Sequence, residues 1–303
     1  MIPGAATSNP GLLGASRRSR CRGFLGLMKM RLNGLVAVAA SVGYLVAGRV
    51  PELPTLIALA LGSLLAACGT SAMNMALEAD LDARMERTRK RPVPLGIVSA
   101  AEAGIFGAIL ALVGLALLLA TTNGLATLVC AVTVALYVLV YTPLKTRTTF
   151  NTVVGAIPGA LPPLIGWAAA VGDLPAGAWA LFAIVFLWQF PHFMAIASIH
   201  REDYRRGGFL MLPVVDPSGL RTAHRAVSTA LLLLPVSLLP AVLGVTAAPI
   251  YIPGVLALGL FYLAMAVRAG VRRTQDSWRG LLRASFIHLT GLLLLLTAGA
   301  LPN

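Results

Sequence analysis

Carboxylates are scarce in this 303-residue chain, 11 Asp and Glu against 24 Lys and Arg, so their clustering is informative. Glu78, Asp80, Asp82 and Glu86 fall close together. If one helix runs through them, Asn74, Glu78 and Asp82 stand at i, i+4 and i+8 and share a face. One amide oxygen and two carboxylates make a hard-oxygen site. It suits Mg2+ carrying a diphosphate, because Mg2+ is usually held by one or two carboxylates plus substrate phosphates rather than by an all-protein cage. The basic run Arg84, Arg87, Arg89, Lys90 and Arg91 follows at once, placed to bind the remaining phosphate oxygens. The same residues also fit a solvated network of acids paired with arginines, and spacing alone does not choose between the two.

A thinner acidic group, Glu202, Asp203 and Asp216, lies later in the chain, with Tyr204, Arg205, Arg206 and Met211-Leu212-Pro213 among it. Trp188-Gln189-Phe190-Pro191-His192-Phe193 puts an amide and an imidazole into an apolar stretch, where polar groups turn to the bundle interior. His192 could contact an anionic substrate or ligate iron, although a hydrogen-bonded core histidine is the plainer reading. His200, His224 and His288 carry weaker signals. Gly155, Gly159, Pro158, Pro162, Pro163 and Gly166 mark a broken or closely packed helix, with packing favoured. The three cysteines, Cys21, Cys68 and Cys130, are scattered, which argues against a disulfide framework or a zinc site.

These residues must be positioned by membrane helices. The chain is 58% apolar and 12% charged, with a mean hydropathy of +0.84. Apolar runs cover 32–48, 54–77, 101–120, 123–143, 151–172, 178–199, 223–246, 249–267 and 281–301, each long enough to span a bilayer. The runs do not alternate apolar with polar and are too long for barrel strands. A soluble enzyme and a nucleic-acid binder are excluded. With nine spans, every Lys and Arg except Arg49 falls on one side, which the positive-inside rule makes cytoplasmic, with the N-terminus in and the C-terminus out. Residues 1–28 are basic and lack acids, and read as a disordered leader on anionic headgroups rather than a transit peptide. Residues 29–303 form the transmembrane domain.

The stretch from Asn74 to Pro94, with Asp82-x-x-Met85-x-Arg87-Thr88-x-x-Arg91-Pro92-x-Pro94, resembles the first acidic motif of the UbiA superfamily of intramembrane prenyltransferases. Within that superfamily it is similar to the branch that farnesylates protohaem. Tyr141-Thr142 through Lys145, Arg147, Thr148 and Asn151 agree, as do Pro162-Pro163-x-x-Gly166-Trp167, Trp188-Gln189-x-Pro191-His192-Phe193, Asp203-Tyr204 and Met211-Leu212-Pro213-Val214-Val215. The resemblance runs from about Lys29 to the last span. It implies an all-α polytopic bundle of nine transmembrane helices, with farnesyl diphosphate and haem B as substrates, Mg2+ as cofactor and haem O as product. It further implies that Asn74, Glu78, Asp82 and Asp203 hold metal and, with Lys145, perform catalysis, while Arg87, Arg91, Arg147, Asn151, His192, Tyr204 and Arg206 bind substrate. Haem A synthase and terminal-oxidase assembly proteins become candidate partners, and a bacterial cytoplasmic membrane the expected location, with the mitochondrial inner membrane as the alternative. Three positions depart from the pattern: Glu78 stands for the usual first aspartate, Ala79 for the following arginine and Met30 for a proline. The second motif offers only Asp203 followed by Tyr204 where the superfamily pairs aspartates. The competing readings are a prenyltransferase acting on an aromatic quinone precursor, a transporter and a non-catalytic assembly factor.

Overall fold

The computed structural model describes residues 17–48 and 50–300. Arg49 and the first part of the expected leader lie outside the described residues. Among the described residues, nine helices are long and apolar enough to cross a bilayer: α1 Arg18–Leu45, α2 Leu53–Leu77, α3 Ala100–Thr121, α4 Gly124–Leu144, α5 Asn151–Val171, α6 Ala176–Ile199, α7 Leu220–Val242, α8 Ala248–Arg272 and α9 Gln275–Ala298. Lipid offers no backbone hydrogen-bond partners, so segments apolar all round must satisfy their peptide groups within the helix. The chain is thus a multi-pass membrane protein, with nine spans among the described residues, as its apolar runs require.

Close backbone approach fixes α2 against α3. Gly62 and Gly69 are seven residues apart on one helix, and Gly107 and Gly114 seven apart on the other. A Cβ on Gly69 would lie 2.4 Å from the Gly107 carbonyl oxygen, and one on Gly114 would lie 2.5 Å from that of Gly62. Small residues on facing helices let backbones meet in this way, and dispersion then does what the hydrophobic effect cannot do in lipid. This contact holds the end of α2, which carries Asn74.

Two spans are irregular where candidate site residues sit. In α4 the segment Leu136–Tyr141 is a π-helix, a local widening that recurs at functional sites because it re-aims the following side chains. In α5 the helix is interrupted at Leu161, between Asn151–Ala160 and Pro162–Val171. The close packing read from its glycines is present as well: a Cβ on Gly155 would meet the Tyr141 ring at 2.4 Å, and one on Gly159 would meet Gln189 Oε1 at 2.1 Å.

The described part of the leader departs from the disorder expected of it. Arg17–Leu27 is helical, because Leu27 is buried against Met75, Val93, Val98 and Ala103 with Phe24 beside it and Arg20 pairs with Glu102. The chain breaks at Lys29, whose φ of 44° is left-handed.

Span seven starts at Leu220, ahead of the expected residue 223, because Asp216 caps it. Asp216 Oδ2 accepts bonds from the Thr222 backbone N–H and hydroxyl, both at 2.8 Å, and Oδ1 accepts one from Ser218 at 3.1 Å. Burial would raise this carboxyl, but the Thr222 and Ser218 bonds outweigh burial and hold its pKa below the ordinary carboxylate value. A depressed folded pKa adds stability that is complete above the unfolded value and is lost as pH falls through the folded one. Asp216→Ala is expected to cost about 1–2 kcal/mol in detergent at neutral pH. The gap from wild type should close on acidification; a gap that persists unchanged to the lowest pH at which both fold would contradict this role.

Candidate functional site

Asn74, Glu78 and Asp82 are all buried, at 3%, 5% and 1% exposure. The regular helix ends at Leu77 and a short one, Ala79–Ala83, follows. The i to i−4 ladder nonetheless crosses the junction: Glu78 N–H donates to Asn74 O at 3.0 Å and Asp82 N–H to Glu78 O at 2.7 Å. The shared face expected from the spacing is therefore real. Asp80 and Glu86 lie off it, Asp80 exposed and Glu86 paired with Arg89.

Cations from distant segments meet this face. Lys145 Nζ donates to Glu78 Oε1 at 2.7 Å, and Arg91 Nη1 to Asp82 Oδ2 at 2.5 Å. Lys145 also lies 4.5 Å from the Tyr141 ring centre, a cation–π contact that desolvation strengthens. Burial opposes the Lys145 charge, but Tyr141 and the Glu78 carboxylate outweigh it and hold the pKa above that of an ordinary lysine. Asn74 Nδ2 donates to Thr142 Oγ1 at 3.2 Å, and Thr142 donates to Tyr137 O at 2.9 Å. Thr142, the residue that follows the π-helix, thus orients the Asn74 amide, with Lys145 one turn beyond.

The fit to a divalent cation rests on one atom. Asp82 Oδ1 is buried and has no hydrogen-bond partner, an arrangement that costs about 1–3 kcal/mol for a neutral group and more for a charged one. A hard cation held by Asp82, Glu78 and the Asn74 oxygen would satisfy it. Among the described residues no group of three or more His, Cys, Asp or Glu side chains is placed to hold a metal. One amide and two carboxylates match instead an ion that also takes ligands from a phosphorylated substrate.

Asp203 occupies a different place from the other expected metal ligands. Its Oδ1 accepts the Glu86 N–H at 3.1 Å and a bond from Arg206, and its Oδ2 accepts the Arg87 N–H at 3.2 Å. Burial would raise its pKa, but the Arg206 guanidinium and the two backbone donors hold it below the ordinary carboxylate value. No hydrogen bond joins Asp203 to Glu78 or Asp82 among the described residues. The carboxylate instead clamps the loop after α2 to the loop after α6. Met85 fills the gap between these loops, in a cluster with Ala197, Phe209 and Met211. Arg87 lies over the Tyr204 ring, 5.6 Å from its centre, and donates to the Tyr204 hydroxyl at 3.4 Å.

The remaining expected residues fall into three situations. Arg147 is exposed and has no ion-pair partner among the described residues. Asn151 is fully buried, and its Nδ2 donates to Thr148 O at 2.6 Å and to Leu210 O at 3.0 Å. His192 hydrogen-bonds Ser285 through Nδ1 at 2.8 Å and stacks on Trp188, inside the bundle and without a contact to the acidic face. One residue at the site carried no functional expectation: Lys29, at the break in α1, interacts electrostatically with Arg91, Lys145, Asp82 and Glu78. In the sequence it marks only where the resemblance begins, with no role assigned to its side chain.

Comparison with known proteins follows the same lines. A model of the UbiA prenyltransferase family matches residues 35–290. A relative from Solibacter usitatus named protoheme IX farnesyltransferase is 42% identical, over 90% of this chain and 98% of its own length. One of the same name from Salinibacter ruber is 41% identical, over 90% of this chain and 96% of its own. Among solved structures, a digeranylgeranylglyceryl phosphate synthase superposes with a TM-score of 0.74 at 17% identity, over 94% of this chain and 99% of that one. A UbiA homolog from Archaeoglobus fulgidus bound to GPP and Mg2+ superposes with a TM-score of 0.66 at 14% identity, over 91% and 99%.

Proposed function

The chain belongs to the UbiA prenyltransferase family, and from that premise we propose that it transfers the farnesyl group of farnesyl diphosphate to a vinyl group of haem B, with addition of water, to give haem O. The choice of acceptor is carried by the match along nine-tenths of the chain to relatives named for that reaction. The chemistry is carried by the orphaned oxygen of Asp82 beside Glu78 and Asn74.

Cleavage of an allylic carbon–oxygen bond builds negative charge on the departing diphosphate. Asn74, Glu78 and Asp82 would hold Mg2+, which when bound would supply Lewis-acid stabilisation of that charge. Lys145 and Arg91, which stand at Glu78 and Asp82, would donate to the diphosphate oxygens, an interaction that grows as the bond breaks. Arg87, Arg147 and Arg206 bind the outer oxygens. Asp203 positions Arg87 by holding its backbone, and Tyr204 orders the Arg87 guanidinium. The apolar helices hold the fifteen-carbon chain and keep water from the farnesyl cation until a vinyl carbon has attacked it. Water then adds to the porphyrin-stabilised cation and loses a proton. His192, held by Ser285 and stacked on Trp188, packs α6 against Phe286 of α9.

The distribution of cations supports the N-terminus and the diphosphate site on the inner side, and the bacterial relatives support a bacterial cytoplasmic membrane. Partners of such an enzyme would be those that consume haem O, haem A synthase or terminal-oxidase assembly proteins.

The test is expression in a host lacking its own haem O synthase, followed by extraction and chromatographic separation of haem B from haem O. Haem O is the expected product, and membrane-inserted protein that leaves only haem B would overturn the reading and direct the next assay to quinone precursors. In isolated membranes, EDTA should abolish the conversion and excess Mg2+ restore it. Full activity in EDTA would remove the proposed metal site.

A further inference from the structure

A cavity of about 420 Å³ opens between α5, α6 and α7 at the same end of the bundle as the acidic face. Phe150, Phe190 and Met194 line one side, and Arg221, His224 and Arg225 the other. The last three stand at i, i+3 and i+4 on α7 and so share one face. No carboxylate lines the cavity, and Arg221 and Arg225 pair with no Asp or Glu among the described residues. The Arg225 guanidinium lies 5.8 Å from the centre of the Phe190 ring.

We propose that this cavity binds the carboxylate edge of a porphyrin acceptor, with Arg221 and Arg225 holding the propionates. The inference rests on the function proposed above and adds to it the place of the second substrate. Two guanidiniums one helical turn apart are forks for carboxylates. The aromatic and thioether wall facing them suits a flat conjugated ring. The volume falls within the range of small-molecule pockets.

A short strap joins the cavity to the diphosphate site. Phe150 and Thr152 flank Asn151, whose amide donates to Leu210 O. Leu210 N–H donates to Lys145 O at 2.7 Å, and Lys145 holds Glu78. Asn151 is thus a positioning residue that fixes the distance between the two sites. The notion that it binds substrate directly fits poorly with an amide nitrogen engaged by two carbonyls.

The test uses the purified full-length protein in detergent, titrated with haem B in the absence of farnesyl diphosphate and followed by Soret absorption. Arg221→Gln/Arg225→Gln should bind haem B about tenfold weaker or more, and Arg221→Lys/Arg225→Lys should lie between it and wild type. Haem B dimethyl ester should bind both wild type and the Gln variant equally weakly. Both arginines are exposed, so elution of each variant as wild type is expected. Equal haem B affinity in wild type and the Gln variant, or tight binding of the ester, would overturn the proposal. So would displacement of haem B by phosphatidylglycerol in wild type but not in the Gln variant, which would assign the arginines to a lipid headgroup. If these outcomes arise while the wild type still makes haem O in cells, only this inference fails; absence of haem O from the wild type removes the parent reading.

Discussion

Asp82→Ala is expected to lower haem O formation by on the order of 10²–10³-fold, the scale on which loss of one preorganised stabiliser of transition-state charge is felt. Asp82 is the most buried of the acidic residues on the site face, at 1% exposure. Its Oδ2 is taken by Arg91 and its Oδ1 by nothing. Alanine removes a ligand oxygen and leaves the Arg91 cation without its carboxylate, next to Lys29 and Lys145. Asp82→Asn separates these effects: it keeps the volume and one oxygen but loses the charge, and should be nearly as inactive. Arg91 is partly exposed, with 21% of its side chain open to solvent, so its stranded charge should not prevent folding. The ratio of haem O to haem B in membranes holding equal amounts of protein measures the effect. Wild-type ratios for Asp82→Ala would leave a non-catalytic role as the better account and would take the acidic face out of the chemistry.

The site divides by whether its information is local. Asn74, Glu78 and Asp82 are legible because a face repeated every four residues needs only the helix that carries it, and the ladder holds through the junction at Glu78. The nine spans are legible for the same reason, since each run of apolar residues meets lipid by itself. Lys29 is not legible, because its partners are Asp82, Glu78 and two distant cations that only the packed bundle brings near. Asn151 is expected to bind substrate only through the family resemblance, and its bond to Leu210, which spans 59 residues, is not visible in the sequence. Boundaries err where a side chain outside the apolar run does the capping: Asp216 starts α7 and Thr274 starts α9 ahead of their hydrophobic stretches. Of the two readings left open for the acidic cluster, the pairing of acids with arginines is seen at Asp82 and Arg91, buried rather than solvated, and the metal reading is supported by the unpartnered Asp82 Oδ1.

Gly166→Val should have the largest effect of any change away from the acidic face. A Cβ at Gly166 would lie 1.8 Å from the Ala40 carbonyl oxygen and 2.7 Å from the Tyr44 nitrogen, and one at Gly43 would lie 2.0 Å from the Pro163 carbonyl oxygen. All three contacts are with backbone, so no rotamer change can relieve them and α1 must move away from α5. Overpacking typically costs about 1–3 kcal/mol when neighbours can adjust, so alanine should cost at least that and valine more. The displacement would also reach the site, because α1 carries Lys29 at its break and α5 begins with Asn151. Gly104→Ala is the control: the nearest atom to its new methyl is the Ala76 Cβ at 3.9 Å, and an alanine in a helix interior is favoured over glycine by about 0.5–1 kcal/mol. Thermal unfolding in detergent should therefore show a large fall, or no folded protein, for Gly166→Val and no loss for Gly104→Ala. A Gly166→Val protein that melts with wild type and still makes haem O would mean that α1 and α5 do not meet through this glycine.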